Sequence, residues 1–103
     1  MLKWHEGYYI EEGIEDPDRI RKSIDRRKPE PGIYLLTLSD NPDNLMEIVP
    51  AMLLIQKNLY RLCPQVIGMA RSKDSAISLA TSVIEQTYQA TGNFNVKEFL
   101  NSR

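Results

Sequence analysis

The sequence predicts a two-layer α/β domain, with α+β as a variant, in which a small mixed sheet of three or four strands is packed by helices near 51–62 and 73–91. Three observations carry this. Residues 66–70, Val-Ile-Gly-Met-Ala, form an uninterrupted apolar run of strand length, and residues 33–38, Ile-Tyr-Leu-Leu-Thr-Leu, nearly so. Ser72 then opens a long amphipathic stretch that closes at Gly92, the pattern of a buried strand feeding a capped helix. A hydrophobic share of 42% over 103 residues supplies apolar surface for one core, so residues 1–103 read as a single domain.

Each element has a local reason. Leu2, Trp4, Tyr8 and Ile10 alternate with Lys3, His5 and Tyr9, interrupted by Glu6, which suits a half-buried strand with an aromatic face. Asp16-Pro17-Asp18 opens a helix: Asp16 caps free N–H groups, Pro17 has none to leave unpaired, and Asp18 suits the positive end of the dipole. That helix, to about residue 28, has only Ile20 and Ile24 as large apolar residues, so it belongs at the surface behind a narrow stripe. Pro29-Glu30-Pro31-Gly32 ends it.

Residues 33–38 are expected as a central strand. A turn over 39–44 follows, and residues 45–49 return antiparallel, ended by Pro50. The alternative is a helix begun by Asn41 and Pro42, which would hold Pro50 in its interior at a cost of about 3 kcal/mol. A helix over 51–62 comes next, with Met52, Leu53, Ile55, Leu59, Tyr60 and Leu62 apolar and Lys57 and Arg61 on its polar side. Beyond the strand at 65–70, the Ser72-capped helix buries Ala76, Leu79, Ala80, Val83, Ile84 and Thr87, and the small residues of that stripe let it lie close to a sheet. Asn95 and Glu98 form a capping box for a closing helix over 96–101, with Phe94 and Phe99 as its hydrophobic staple.

Composition narrows the chemistry. A net charge of −1 gives no global attraction to nucleic acid or an anionic membrane. The lone Cys63 excludes an internal disulfide and any multi-cysteine zinc site, and it suits a reducing compartment. His5 is the single histidine; beside Glu6 it leaves a metal site short of ligands. Cys63 has no evident base and reads as a buried thiol. No catalytic residue, metal ligand or cofactor is therefore assigned. The first residues lack an apolar signal core and no window approaches the roughly 20 apolar residues of a membrane span, so the expectation is a complete cytoplasmic protein without a membrane partner.

Two cationic stretches remain as candidate binding sites. Arg71, Ser72, Lys73 and Ser75 surround the start of the 73–91 helix, where free N–H groups and the dipole favour an anion. Ser72 is also explained as a cap, Asp74 opposes an anion, and no Gly-rich phosphate loop precedes the helix. The second stretch is Arg19, Arg21, Lys22, Arg26, Arg27 and Lys28, which Lys57, Arg61, Arg71 and Lys73 could extend. Residues 1–18 hold one cation against six acids, a net −5, whereas residues 19–28 hold six cations against one acid, a net +5. Such a face suits phosphate backbone, although no aromatic interleaves with the cations to stack bases. The same split would let unlike patches on two copies pair.

The resulting expectation is a small non-enzymatic interaction or accessory protein. It self-associates or meets another protein through an aromatic or apolar surface drawn from residues such as Trp4, Tyr8, Met46, Met52 and Phe99. The alternative is a nucleic-acid or small-anion (phosphate-type) binding module using residues 19–28 and the helix start at 71–75.

Overall fold

The computed structural model describes residues 2–39 and 45–101. Its strands are β1 (Trp4–Ile10), β2 (Tyr34–Leu38), β3 (Met46–Pro50) and β4 (Val66–Ala70), and its α-helices are α1 (Pro17–Asp25), α2 (Lys57–Leu62), α3 (Lys73–Thr91) and α4 (Val96–Asn101). A 3-10 helix, Ala51–Ile55, precedes α2. The strands form one mixed sheet in the order β1-β4-β2-β3, with β4 parallel to β1 and antiparallel to β2, and β3 antiparallel to β2.

Both faces of this sheet are covered. Ile20 and Ile24 of α1 and Ala51 and Leu54 of the 3-10 helix pack with Leu35, Val66 and Met69 on one face. Val83 of α3 and Val96 and Leu100 of α4 pack with Leu36, Leu38 and Ile67 on the other. The expected mixed sheet packed by helices near 51–62 and 73–91 is present, and those helices lie on opposite faces of it. The reason lies in the two central strands. They are apolar at adjacent positions such as Leu35 and Leu36, which a pleated strand points in opposite directions, so a single helix layer would leave half of them in water.

Residues 45–49 do return as a strand, in a constant register with β2 from Tyr34–Pro50 to Leu38–Met46. The expected turn, with the alternative cap at Asn41 and Pro42, lies outside the described residues from 40 to 44. The helix expected over 51–62 is split, because Gln56 is extended (φ −72°, ψ 123°) between the 3-10 helix and α2. The 3-10 turn places Ala51 and Leu54, three residues apart, on the same inward side.

Helix α1 also stops earlier than residue 28. Arg27 N donates to the Ile24 carbonyl at 2.9 Å and Lys28 N to the Ser23 carbonyl at 3.0 Å, a Schellman ending with Arg27 left-handed at φ 56°. Helix α3 ends on the left-handed Gly92 as expected. Asn95 Oδ1 accepts from Glu98 N at 3.1 Å, while Asn95 N donates instead to Asn93 Oδ1, so the capping box closes between side chains, Asn95 Nδ2 to Glu98 Oε2 at 3.1 Å. The Phe94 ring stacks on Tyr88, 5.1 Å between centroids.

At Gly68 the sheet packs closely against α3. The β2 register skips Ile67, a bulge that turns both Ile67 and Gly68 toward α3. A Cβ on Gly68 would lie 2.9 Å from Leu79 Cδ2 and 3.2 Å from Leu36 Cβ, so a larger residue there would force the Leu79 side chain to shift.

Candidate functional site

The start of α3 shows what its cationic cluster does within the chain. Ser72 Oγ accepts from Ser75 N at 3.0 Å, as a cap should, and lies 3.0 Å from Ser75 Oγ. Leaving β1, Glu11 donates its N–H to the Met69 carbonyl and swings its carboxylate onto Arg71. Arg71 N donates to Glu11 Oε1 at 2.9 Å and Arg71 Nε to Oε2 at 3.1 Å. The Arg71 backbone N–H holds the Glu11 carboxyl below its ordinary value of 4.5; partial burial works against this, and the Arg71 and Ser75 side chains reinforce it. The guanidinium lies against Gly13, where a Cβ would come within 3.2 Å of Cζ. Arg71, Ser72 and Ser75 are thus brought together around a carboxylate of the chain itself, while Lys73 is exposed on the helix.

The basic helix divides its cations among three surroundings. Arg19 pairs with Glu30 at 3.2 Å. Arg21 lies over the rings of Trp4 and Tyr8, 5.0 and 5.5 Å from their centroids, a cation–π arrangement. Arg19 also joins Lys22, Arg26 and Lys28 in bordering an open cleft that contains Asp16 and Asp18. Arg27 goes elsewhere. Together with Lys3, Lys57 and Arg61 it rims a cleft of about 390 Å³ whose remaining lining is Leu2, Tyr60 and Cys63.

Asp25 ties together segments that line that cleft. Its Oδ1 accepts from Leu2 N at 3.1 Å and from Trp4 Nε1 at 2.8 Å, which fixes the N-terminal segment and so the position of Lys3. The Asp25 carbonyl accepts from the Tyr60 hydroxyl at 2.8 Å. Burial pushes the Tyr60 hydroxyl up, with Asp25 adding to the shift and Arg27 opposing it; burial likewise pushes up the Cys63 thiol. Cys63 and His5 line different clefts. The sequence allowed Lys57 and Arg61 to extend the 19–28 stretch, and the structure brings them to Arg27 alone of its cations; Lys3 was missed, because the contacts that place it run through Asp25 from residues 21, 23 and 35 positions away.

The two sheet edges differ as well. On β1 the pairing jumps from Trp4–Val66 to Tyr9–Gly68, with Gly7 left-handed at φ 74°, so this edge is bulged. On β3 the register is unbroken. Ser39 N donates to the Leu45 carbonyl and Ala51 N to the Ile33 carbonyl, so odd-numbered positions face β2 and Met46, Ile48 and Pro50 turn their peptide groups outward. Pro50 therefore lacks its N–H on the side where no partner strand lies. Around this edge Leu45, Met52 and Leu53 are 43%, 42% and 42% exposed.

Among the described residues, no group of three or more His, Cys, Asp and Glu side chains could hold a metal ion, and no helix is long and apolar enough to cross a membrane. Comparisons with protein families, with curated proteins and with solved structures return no match.

Proposed function

We propose that this chain is a non-enzymatic interaction protein that self-associates through the β3 edge. The observation that supports the reading is the contrast between the two outer strands: β1 carries a bulge, a common device against edge pairing, and β3 carries none. A two-fold axis through Ile48 sets two β3 strands antiparallel. Ile48 of each copy then bonds its counterpart, and each Met46 N–H meets the partner's Pro50 carbonyl, an isologous contact in which main-chain bonds supply the pairing. Exposed Leu45, Met52 and Leu53 lie where that pairing would cover them.

The test is solution mass by light scattering across a concentration series. A dimer is expected, and the double variant Leu45→Lys, Met52→Lys should shift it to monomer with an unchanged circular dichroism spectrum, since both side chains are exposed and bring like charges toward each other across the pair. A wild-type chain that stays monomeric at its highest soluble concentration removes the proposal. The small-anion alternative draws its support from a different place, the Arg27 cleft.

A further inference from the structure

We propose that the cleft between the end of α1, the helix α2 and the N-terminal segment binds a small phosphate-bearing molecule, with Arg27, Arg61, Lys3 and Lys57 on its charges and Leu2 and Tyr60 against its apolar part. Four cations rim this cleft and its lining contains no carboxylate. Among the described residues none of the four is in an ion pair, whereas Arg19 and Arg71 each have one. Asp25, whose carbonyl takes the Tyr60 hydroxyl, has its carboxylate engaged by Leu2 N and Trp4 Nε1. Among the described residues the gathered positive charge therefore has no ion-paired carboxylate of the kind Glu11 gives Arg71.

Backbone conformation supplies an independent observation. Arg27 occupies the left-handed position at the end of a Schellman motif, which glycine fills at no steric cost and a side chain fills with strain. The residue placed there is the arginine that reaches the cleft. A volume of about 390 Å³ falls within the range of ligand pockets, about 300–1,000 Å³. Arginine offers paired N–H donors that match phosphate oxygens, and lysine adds a point charge. An extended nucleic acid fits less well, because Arg19, Lys22, Arg26 and Lys28 line a separate cleft that also holds Asp16 and Asp18, and Arg21 lies over Trp4 and Tyr8.

Calorimetric titration of the purified chain with inorganic pyrophosphate, with ATP in metal-free buffer and with a single-stranded oligonucleotide tests the proposal. Pyrophosphate or ATP is expected to bind saturably at one site. Arg61→Ala should weaken that binding about tenfold, the loss of roughly one charge-assisted hydrogen bond. Arg27→Gly should weaken it similarly while leaving the thermal midpoint unchanged or raised, since glycine relieves the left-handed strain. That separation distinguishes a ligand contact from a folding role. Three results would overturn the proposal: no binding of either phosphate probe, wild-type affinity in both variants, or tighter binding of the oligonucleotide with the steep salt dependence of a phosphate backbone.

Discussion

Arg71 and Arg27 both stand at helix ends, both are drawn from cationic stretches, and the chain treats them differently. Arg71 begins α3 with its guanidinium and its backbone N–H on the Glu11 carboxylate, folded against Gly13. Arg27 closes α1 in a left-handed conformation and faces a cleft rimmed by three further cations. At the first place the fold brings in an anion from 60 residues away; at the second it brings in more cations. A cationic cluster in a sequence is thus only half of an electrostatic statement. The other half is whether the fold delivers a carboxylate to it.

The largest effect on this contrast is expected from Asp25→Ala. It leaves Leu2 N and Trp4 Nε1 without their acceptor and frees the segment that positions Lys3. Unfolding in urea should show a loss of about 2 to 3 kcal/mol, the usual cost of stranding partly buried donors that served a charged group. A loss under about 0.5 kcal/mol, typical of a neutral surface change, would mean that Asp25 does not organise the cleft.

Glu11→Gln addresses the other member of the pair. The expected loss is smaller, about 1 kcal/mol at neutral pH, because the Arg71 side chain is 57% exposed and solvent weakens the pair. The sign of the pH dependence follows from the direction of the shift. The Glu11 carboxyl is depressed in the folded chain, so its contribution is fully present above the ordinary value of 4.5 and is lost as pH falls through the lower folded value. Wild type and variant should therefore converge in acid, and a gap that persists there would separate Glu11 from the ionised interaction. The variant should also gain weak phosphate binding at Arg71, making the first cluster resemble the second.

Smallest of all is the effect at Cys63, which is chemical rather than energetic. Burial raises its thiol above the ordinary value of 9.0, so iodoacetamide should alkylate it more slowly than free cysteine near neutrality. Pyrophosphate in the cleft should slow it further. A rate equal to that of a free thiol would show that the surrounding cations outweigh burial.

What could be read from sequence was local. The β4 run, the Ser72 cap and Gly92 each act within a few residues, and the structure has them where expected. The constant β2–β3 register agrees with the argument that Pro50 must end a strand rather than interrupt a helix. Which face each helix takes was not legible, because an apolar strand shows that both faces are buried without showing what covers each. The break at Gln56 was hidden too, since residues 51–62 are apolar at both helical and 3-10 spacings. The hardest feature was Arg27. Nothing in an Arg-Arg-Lys string announces a left-handed residue, and Pro29 offered a sufficient reason for the helix to end a little later.

The position of β4 has a consequence in time. It is the fourth strand along the chain and the second across the sheet, lying between β1 and β2. Its ladder with β1 joins residues about 60 apart, whereas β2 and β3 are neighbours in sequence. During synthesis β1 precedes the other strands, yet its neighbour in the sheet, β4, is made after more than half the chain. Trp4 and Tyr8 must wait in the nascent polypeptide while a hairpin forms beyond them, and β4 then inserts between the two. Non-local pairing of this kind slows folding and prolongs the exposure of apolar surface. A chain halted before residue 65 would keep its hairpin and leave its aromatic N-terminal strand with nowhere to dock.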